Sequence, residues 1–498
     1  MENTGLKIIE AELIDRLTYL KKDELKKVKK AILFAKKVHQ TARRLSGEPY
    51  FIHPLKTALT LADLKLDSTS IIAAILHDTV EDTEAHYWQI RIQFGKDVAN
   101  LVESVTKLET IRIKKGWLPL IGINKKKVPE FERQVETLRK MLIAMSKDIR
   151  VILIKLADKI HNLETLEYLP KEKQERIARE VIEIYAPIAH RLGMGKWKGH
   201  LEDLAFPYVS PEEYKDLKKL AVSEIKEREE YLNILVGKIK KLLSKNKIKA
   251  KTDFRAKRWY SLYKKLLKYD NDLSKIYDLT AVRIIVDSVE DCYSTLGLIH
   301  SVWRPLVGRI KDYIALPKPN GYKSIHTTVF ADDRRIVEIQ IRTKEMHLQA
   351  EFGVAAHWVY SENKFSRQPN SQEFKWLRDF YKIQKTVNST DELLQSFRLD
   401  LFEDRIFVFT PDGDVRDLPQ GATPVDFAYS IHSDIGNRCA MAKVNNKVVP
   451  INSKLENGNI VEIITKKNAR PHQDWFKAVK TQAARSQIRK AIGNRVVR

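Results

Sequence analysis

The 498-residue sequence has almost no cysteine, no long apolar run and no glycine-rich phosphate loop. Its two cysteines, Cys292 and Cys439, are too few for a disulfide framework or a cysteine-rich zinc site, so we expect a cytoplasmic protein. No apolar run approaches the roughly 20 residues that span a membrane, and residues 1–10 lack the apolar core of a signal peptide. The absence of Walker-type and Rossmann-type glycine patterns disfavours the folds that depend on them.

Acidic residues are outnumbered by basic ones. The sequence has 89 Lys and Arg against 65 Asp and Glu, a formal net charge of +24. This excess favours polyanionic partners, but it does not choose between nucleotides, nucleic acid and an anionic membrane surface. Apolar residues make up 43% of the chain, which excludes wholesale disorder, and the length predicts about three domains.

Hydrophobic periodicity divides the chain into segments. Spacings of three and four predict helices over residues 1–200 and a charged helical linker over 201–250, with a loop at 112–130. Two strand-like runs, Ala281–Val286 and Ile336–Arg342, predict a mixed α/β domain over 251–360. A polar linker is expected at 361–403, then a small β-rich domain over 404–466 and a basic helical tail over 467–498.

Histidines and aspartates stand at the ends of apolar helical runs in the first 200 residues. They are His53, His77, Asp78 and Asp158. Carried by separate helices of one bundle, such side chains can converge on a divalent cation, and their nitrogen and oxygen atoms suit Mn²⁺ or a similar ion. Glu81 and Asp82 follow one turn later and are placed to hold or deprotonate a water for phosphoester hydrolysis. Taken singly, each of these residues is as readily a helix cap, a core histidine or a surface acid.

Basic residues recur near the start of the mixed domain. Lys257, Ser261 and Lys265 are spaced by four, with Arg255 just upstream, which predicts one helix face that offers donors to a polyphosphate. A solvated basic surface explains the same spacing equally well.

Two carboxylates flank the predicted sheet of this domain. Asp278 precedes the first strand-like run, and Glu338 lies on the polar face of the second. Carboxylates on neighbouring strands are a usual way to hold Mg²⁺ for phosphoryl-type transfer. Between them an Asn-Gly turn presents Tyr322 among basic residues, an arrangement that suits a purine above its phosphates. The residues alone thus predict a phosphohydrolase-like domain beside a nucleotide-transfer domain, without naming the substrate.

Long motifs in both domains resemble the RelA/SpoT homologue family, whose long members make and degrade guanosine tetraphosphate and pentaphosphate (ppGpp and pppGpp) in the stringent response. The family's His-Asp (HD) hydrolase domain is matched at Ser46–Pro54, Leu76–Thr83 and Lys155–Asn162. Its synthetase domain is matched at Tyr277–Leu279, Gly308–Tyr313, Asn320–Tyr322 and Glu338–Thr343. Residues 404–466 resemble the small β-grasp module called TGS, and the zinc-finger-like and ACT modules of full-length members have no counterpart in the 498 residues.

The resemblance implies a fold and a set of site residues. The fold is an all-α HD domain, a mixed α/β nucleotidyltransferase-like synthetase domain and a β-grasp TGS domain. In the hydrolase, Mn²⁺ ligands are implied at His53, His77, Asp78 and Asp158, water-positioning acids at Glu81 and Asp82, and nucleotide contacts at Arg44, Asn162 and Thr165. In the synthetase, Mg²⁺ ligands are implied at Asp278 and Glu338, ATP-phosphate contacts at Arg255, Lys257, Ser261 and Lys265, and acceptor contacts at Arg309, Lys311, Lys318, Asn320, Tyr322 and His326. Glu338 is also implied in deprotonating the attacking 3′-hydroxyl.

The resemblance also implies partners. ATP, GDP or GTP, ppGpp and pppGpp are the expected small molecules, and the TGS module and basic tail imply contact with the ribosome and tRNA; no membrane partner is expected. The cations at Arg309 and Lys311 resemble the bifunctional branch of the family. Two alternatives stay open: an enzyme with one working site, and a ribosome- or RNA-binding regulator.

Overall fold

The computed structural model describes residues 2–109, 140–276, 279–356 and 405–493, except residues 142, 146, 319, 333 and 334. It divides into two compact units, Met1–Tyr381 and Lys382–Arg498, which are treated separately below. The predicted loop at 112–130, the predicted linker at 361–403 and Asp278 lie outside the described residues. Within the described part of the chain, no helix combines the length and apolarity that crossing a membrane requires.

Helices build the described part of the first 200 residues, as predicted. They are α1 Glu2–Arg16, α2 Lys22–Val38, α3 Ile52–Ala62, α4 Ser68–Leu76, α5 Thr79–Asp82, α6 Tyr87–Phe94, α7 Lys96–Glu109, α8 Arg150–Glu164, α9 Lys171–Glu180, α10 Ala186–Arg191 and α11 Gly195–Val209. Helix α4 is buried along its whole length, and the Asp67 carboxylate caps its first turn by accepting a hydrogen bond from Ser70 N. It packs against α2, α3 and α7, so the residues that follow Leu76 are delivered into the centre of the bundle.

A single long helix joins the bundle to the sheet domain. This helix, α12, runs from Pro211 to Lys245, about 50 Å at 1.5 Å per residue. It is shorter at its carboxyl end than the predicted segment, because Lys247 adopts a left-handed φ of 59° that ends the helix before strand β1. Its apolar stripe, which includes Leu235 and Ile239, packs on the sheet core.

A five-stranded sheet forms the second part of the first unit. Its strands are β1 Ala250–Ala256, β2 Thr280–Val286, β3 Lys311–Asp312, β4 Ile325–Phe330 and β5 Ile336–Thr343, in the order β1-β2-β5-β4-β3. Strands β2 and β5 are parallel and the other pairs are antiparallel. Helices α13 Trp259–Leu266, α14 Val289–Val302 and α15 Lys344–Phe352 complete this domain. Both predicted strands are confirmed, and the parallel pairing places Glu338 opposite Ala281.

The second unit is small and rich in strands, which confirms the expected fold class. Its elements are β6 Arg405–Phe409, β7 Val415–Pro419, α16 Pro424–Ile431, α17 Ser433–Asn437, β8 Cys439–Val444, β9 Lys447–Val449, β10 Val461–Thr465, α18 Trp475–Ala478 and α19 Gln482–Gly493. Buried Asp426 accepts hydrogen bonds from the backbone N–H groups of Thr423, Lys480 and Thr481. One carboxylate therefore fastens the basic tail to the strand-rich core.

The bundle and the sheet domain approach each other at backbone distance. Gly353 has a φ of +54°, and a Cβ atom added there would lie 2.0 Å from Leu192 O. Next to it, Val354 N donates a hydrogen bond to Leu192 O at 2.9 Å. A side chain at position 353 is excluded by both the backbone conformation and the missing space.

Replacement of Gly353 should loosen this junction. We expect Gly353→Ala to lower the free energy of unfolding by about 1–3 kcal/mol, because the new methyl group must push the two backbones apart. Gly237→Ala is the matched control: position 237 lies inside α12 with open space around it, so the substitution should stabilise the helix by about 0.5–1 kcal/mol. Urea unfolding of the three proteins measures both effects, and equal stability of Gly353→Ala and the parent chain would contradict the packing described.

Candidate functional sites

The four predicted metal-ligand residues of the helical bundle meet in its interior. His53 lies in the first turn of α3, His77 and Asp78 lie between α4 and α5, and Asp158 lies on α8. His53 Nε2 is 3.0 Å from Asp158 Oδ1 and 3.5 Å from Asp78 Oδ2, and His77 Nε2 is 2.9 Å from Asp78 Oδ1. All four residues are buried. Two carboxylates and two imidazoles thus share one small space without bulk water.

Hydrogen bonds on the far side of each imidazole set its tautomer. His77 Nδ1 donates to Ala74 O at 2.8 Å, because a carbonyl can only accept, and this leaves Nε2 as the ring atom that faces the aspartates. His53 Nδ1 lies 2.7 Å from His161 Nδ1. Burial, with the neighbouring His53 and Arg44, lowers the pKa of His161 to about 3, so His161 is neutral and accepts from His53. Both Nε2 atoms therefore face the carboxylates, and each is the ring atom left to ligate a cation.

This donor set fits a divalent cation. His77 Nε2 is buried and, among the described residues, meets no acceptor at hydrogen-bond geometry, although Asp78 Oδ1 lies only 2.9 Å away. Ligand atoms of His53, His77 and Asp158 all lie within 4.8 Å of one another. Burial opposes ionisation of Asp78, yet positive charge on the neighbouring imidazoles, His77 first, holds its pKa well below the ordinary value, and the two aspartates in turn raise the pKa of His77. Two carboxylates and two imidazoles in one buried space therefore hold positive charge between them, supplied by protons on the rings or by a cation, and second-side hydrogen bonds of this kind are typical of metal-ligating histidines.

Further residues hold the two aspartates, and the sequence analysis missed most of them. Buried Lys155 donates to Asp158 Oδ2 at 2.8 Å, and Asn162 Nδ2 donates to Asp158 Oδ1 at 2.7 Å. The Tyr50 hydroxyl donates to Asp78 Oδ2 at 2.9 Å. Lys155 and His161 lie three residues before and after Asp158, so the three side chains share one face of α8. This spacing is the sequence feature from which the supporting residues could have been predicted.

A pocket of about 360 Å³ opens beside this cluster, and Arg44, Asn162 and Thr165 contribute to its wall. The Arg44 guanidinium donates to Asn162 Oδ1 at 2.6 Å and to Thr165 Oγ1 at 3.1 Å. The three residues predicted to contact a nucleotide are thus brought together. Glu81 and Asp82 lie on the exposed short helix α5 directly after Asp78.

A second polar site lies on the sheet, where β4 and β5 pair. Glu338 Oε1 accepts a hydrogen bond from Gln340 Nε2 at 2.9 Å and is 3.2 Å from His326 Nδ1. His326 Nε2 is 2.8 Å from the Tyr322 hydroxyl. Tyr322, His326 and Glu338 therefore form a continuous chain of polar contacts. Asp278 is not among the described residues, so its predicted place beside Glu338 stays a prediction.

The turn that carries Tyr322 is surrounded by basic and aromatic side chains. Asn320 Oδ1 accepts from Tyr322 N at 3.3 Å, and Gly321 adopts a φ of +77° that favours glycine. Lys318 Nζ lies 5.4 Å from the Tyr322 ring centroid and 4.8 Å from that of Tyr313. Arg309 and Lys311 lie exposed on the preceding segment. The predicted acceptor residues thus occupy one region of the domain.

The predicted single helix face of Lys257, Ser261 and Lys265 is wrong in one respect. Helix α13 begins at Trp259, so it carries Ser261 and Lys265 but not Lys257. Lys257 N donates to Leu279 O, which extends the β1–β2 pairing by one residue and keeps this position out of the helix. Arg255 lies on β1, and its Nη1 is 3.8 Å from Glu351 Oε1.

A charged cluster beneath these residues was not foreseen. Arg283 pairs with both oxygens of Asp253, at 2.8 and 2.9 Å. Glu351 Oε1 lies 3.4 Å from Arg283, 3.6 Å from Arg342 and 3.8 Å from Arg255. The signal was Arg283 itself, which interrupts an otherwise apolar strand and therefore needs an acidic partner.

Three family comparisons match successive parts of the chain. The HD domain family matches residues 31–195, the "Region found in RelA / SpoT proteins" matches residues 254–365, and the TGS domain family matches residues 406–465. These matches cover the helical bundle, the five-stranded sheet and the strands of the second unit in that order.

Curated proteins are similar over most of the chain. A GTP pyrophosphokinase of Myxococcus xanthus is 47% identical over 93% of this chain and 60% of its own length. A guanosine-3′,5′-bis(diphosphate) 3′-pyrophosphohydrolase of Aquifex aeolicus is 44% identical over 93% of this chain and 64% of its own length. The bifunctional (p)ppGpp synthase/hydrolase SpoT of Escherichia coli is 42% identical over 96% of this chain and 66% of its own length. The chain therefore spans a little under two thirds of the length of these relatives.

Metal binding in the bundle should be visible as thermal stabilisation. A cation at about 100 times its Kd stabilises the native state by about 2.7 kcal/mol, so we expect Mn²⁺ to raise the Tm of the bundle by about 5–10 °C. His77→Ala, which removes one of the buried nitrogen ligands, should abolish most of this shift. His200→Ala is the matched control because His200 lies partly exposed beside Glu164, away from the cluster. Differential scanning calorimetry measures the shifts, and equal Mn²⁺ shifts in His77→Ala and the parent chain would refute the site.

Proposed function

The chain belongs to the RelA/SpoT family, and from this premise we propose that it is a bifunctional enzyme that synthesises ppGpp and pppGpp and hydrolyses them again. The observation that supports this best is the presence of two separate polar sites in one unit. One is the buried cluster of His53, His77, Asp78 and Asp158 beside the Arg44 pocket. The other is the contact chain from Tyr322 to Glu338 on the sheet. The names of the relatives cover both activities.

The bundle site is proposed to remove the 3′-pyrophosphate. The water oxygen attacks the phosphorus bonded to the 3′-oxygen, the bond between that phosphorus and the 3′-oxygen breaks, and the 3′-oxygen takes up a proton, so GDP or GTP and pyrophosphate leave. His53, His77, Asp78 and Asp158 would hold Mn²⁺, which would supply a Lewis acid that lowers the pKa of water. Glu81 and Asp82 are proposed to orient that water and take its proton. Arg44, with Asn162 and Thr165, binds the nucleotide from the pocket wall.

The sheet site is proposed to run the synthetic reaction. The 3′-hydroxyl oxygen of GDP or GTP attacks the β-phosphorus of ATP, the bond from that phosphorus to the oxygen it shares with the α-phosphorus breaks, and AMP leaves. Glu338 accepts the hydroxyl proton, and His326 holds its carboxylate in place. Asp278 and Glu338 would hold Mg²⁺, which would supply charge stabilisation. The remaining proposed contacts to ATP are Arg255, Lys257, Ser261 and Lys265, and those to the acceptor are Arg309, Lys311, Lys318, Asn320 and Tyr322.

The second unit is proposed to contact ribosomal or transfer RNA. Lys466, Lys467 and Arg470 are exposed in succession after β10, and Arg489 and Lys490 are exposed on α19. Clustered cations of this kind attract nucleic-acid phosphates. A regulator that binds RNA and keeps one working site is the alternative, and loss of either reaction in the parent chain would favour it.

The two activities should separate by mutation. His77→Ala removes a buried metal ligand, so hydrolysis of ppGpp with Mn²⁺ should fall by orders of magnitude while synthesis from ATP and GDP stays within about twofold. Glu338→Gln should do the reverse. Release of pyrophosphate from ppGpp and of AMP from ATP plus GDP measures the two reactions. Loss of both activities in His77→Ala, with the fold intact, would show that the two sites are not separate.

Tyr322 should contribute to acceptor binding. We expect Tyr322→Ala to raise the KM for GDP by about 5–150-fold, since base stacking on an aromatic ring is worth roughly 1–3 kcal/mol. Tyr322→Phe keeps the ring and loses the contact to His326, so it should retain the low KM for GDP while lowering kcat. A KM for GDP that Tyr322→Ala leaves unchanged would remove this residue from the acceptor site.

A further inference from the structure

Helix α13 has no cap of its own. It is eight residues long, and Arg258, which occupies its N-cap position, accepts no hydrogen bond with its side chain. The first backbone N–H groups of a helix have no partner within the helix and need an acceptor from elsewhere. Here the acceptor comes from the end of the helical bundle: Asp203 Oδ1, on α11, accepts from Tyr260 N at 3.2 Å.

The same aspartate also holds the residue at the N-cap. Arg258 Nη1 lies 3.4 Å from Asp203 Oδ2, and the Asp203 side chain is 15% exposed. Gly199, one turn earlier on α11, allows the approach, because a Cβ there would lie 3.1 Å from Arg258 Cγ and Nε. Asp203 thus contacts residues 258 and 260. These positions are next in the chain to Lys257 and Ser261 of the proposed ATP-phosphate set.

The neighbouring acid fixes the helix at its other end. Glu202 is buried, and its carboxylate lies 3.1 Å from Lys264 Nζ of α13 and 2.6 Å from Lys198 Nζ of α11. Between the two carboxylates, Phe206 packs against the rings of Tyr260 and Tyr263 at centroid distances of 5.3 and 5.0 Å. Two acids and one ring on α11 therefore leave α13 little freedom to shift along its axis.

We propose that Asp203 is a positioning residue for ATP: from the end of the helical bundle it caps α13, which places Ser261 and Lys265, and it pairs with Arg258, which places the adjacent Lys257, against the ATP phosphates. This inference rests on the proposed synthetic activity. It predicts that a side chain outside the synthetase domain controls ATP affinity without touching the nucleotide, and that it has little effect on the acceptor, whose proposed contacts lie elsewhere in the domain.

Steady-state kinetics of pyrophosphate transfer test the proposal. Asp203→Ala removes the acceptor and the ion pair, so KM for ATP should rise about tenfold, while KM for GDP and the rate of ppGpp hydrolysis stay within about twofold. Asp203→Asn keeps an acceptor for Tyr260 N but loses the charge facing Arg258, so its KM for ATP should rise by about two- to fourfold. Asp216→Ala is the matched control, because Asp216 is an exposed carboxylate on α12 in a surface pair with Lys219.

Each outcome of these measurements either supports or overturns the role proposed for Asp203. An unchanged KM for ATP in a folded Asp203→Ala, or an equal rise of the KM for ATP and GDP, overturns the proposal. If Asp203→Ala does not fold, Asp203→Asn decides by the same comparison. If the parent chain transfers no pyrophosphate, the proposed function fails instead, and calorimetric titration of a non-hydrolysable ATP analogue with Mg²⁺ tests Asp203 independently: weaker binding to Asp203→Ala supports the proposal, and equal binding overturns it.

Discussion

Charge that is buried must be compensated, and this constraint organises both sites. Asp158 is 1% exposed and is contacted by Lys155, Asn162 and His53, so that no oxygen faces an apolar neighbour alone. On the sheet, Glu351 lies among three guanidinium groups for the same reason. An unpaired ion costs several kcal/mol in such surroundings. The partners therefore have to be placed as carefully as the ligands, which ties the geometry of each site to the packing of the elements that carry it.

The order of helices and strands along the chain can be predicted from hydrophobic spacing, and most of the predicted helices and strands are present in the structure. Strand β2 is apolar on both faces and β5 alternates, and both patterns follow from where a strand lies in a covered sheet. The helices of the bundle follow from three- and four-residue spacing in the same way. Lys257 shows the limit: its interval to Ser261 fits a helix, but pairing with β2 continues through its backbone and delays the helix to Trp259.

Residues that act through other residues escaped the sequence reasoning. Asp203 and Glu202 lie in a helix that was assigned to a linker, and nothing in their spacing indicates that α13 is their partner, because the contact joins positions about 55 residues apart. No local sequence pattern indicates the role of Glu351 either, because the three arginines that surround it come from β1, β2 and β5. The candidate ligand residues could be predicted because they lie in short motifs in a fixed order. The residues that support them could not, because those contacts depend on tertiary packing that a local pattern does not encode.

The junction between bundle and sheet brings these observations together. The backbone contact at Gly353 fixes α15 against the loop after α10, and Asn320 of the acceptor turn donates through its side-chain amide to His190 O in the last turn of α10 at 3.4 Å. Asp203, also near the end of the bundle, contacts the helix proposed for ATP. Residues near the end of the bundle thus contact both the helix proposed to bind ATP and the turn proposed to bind the acceptor. A change in the bundle that moved Leu192 or Asp203 would alter the two substrate contacts through short, stiff connections, because packed backbone and buried ion pairs transmit a displacement rather than absorb it.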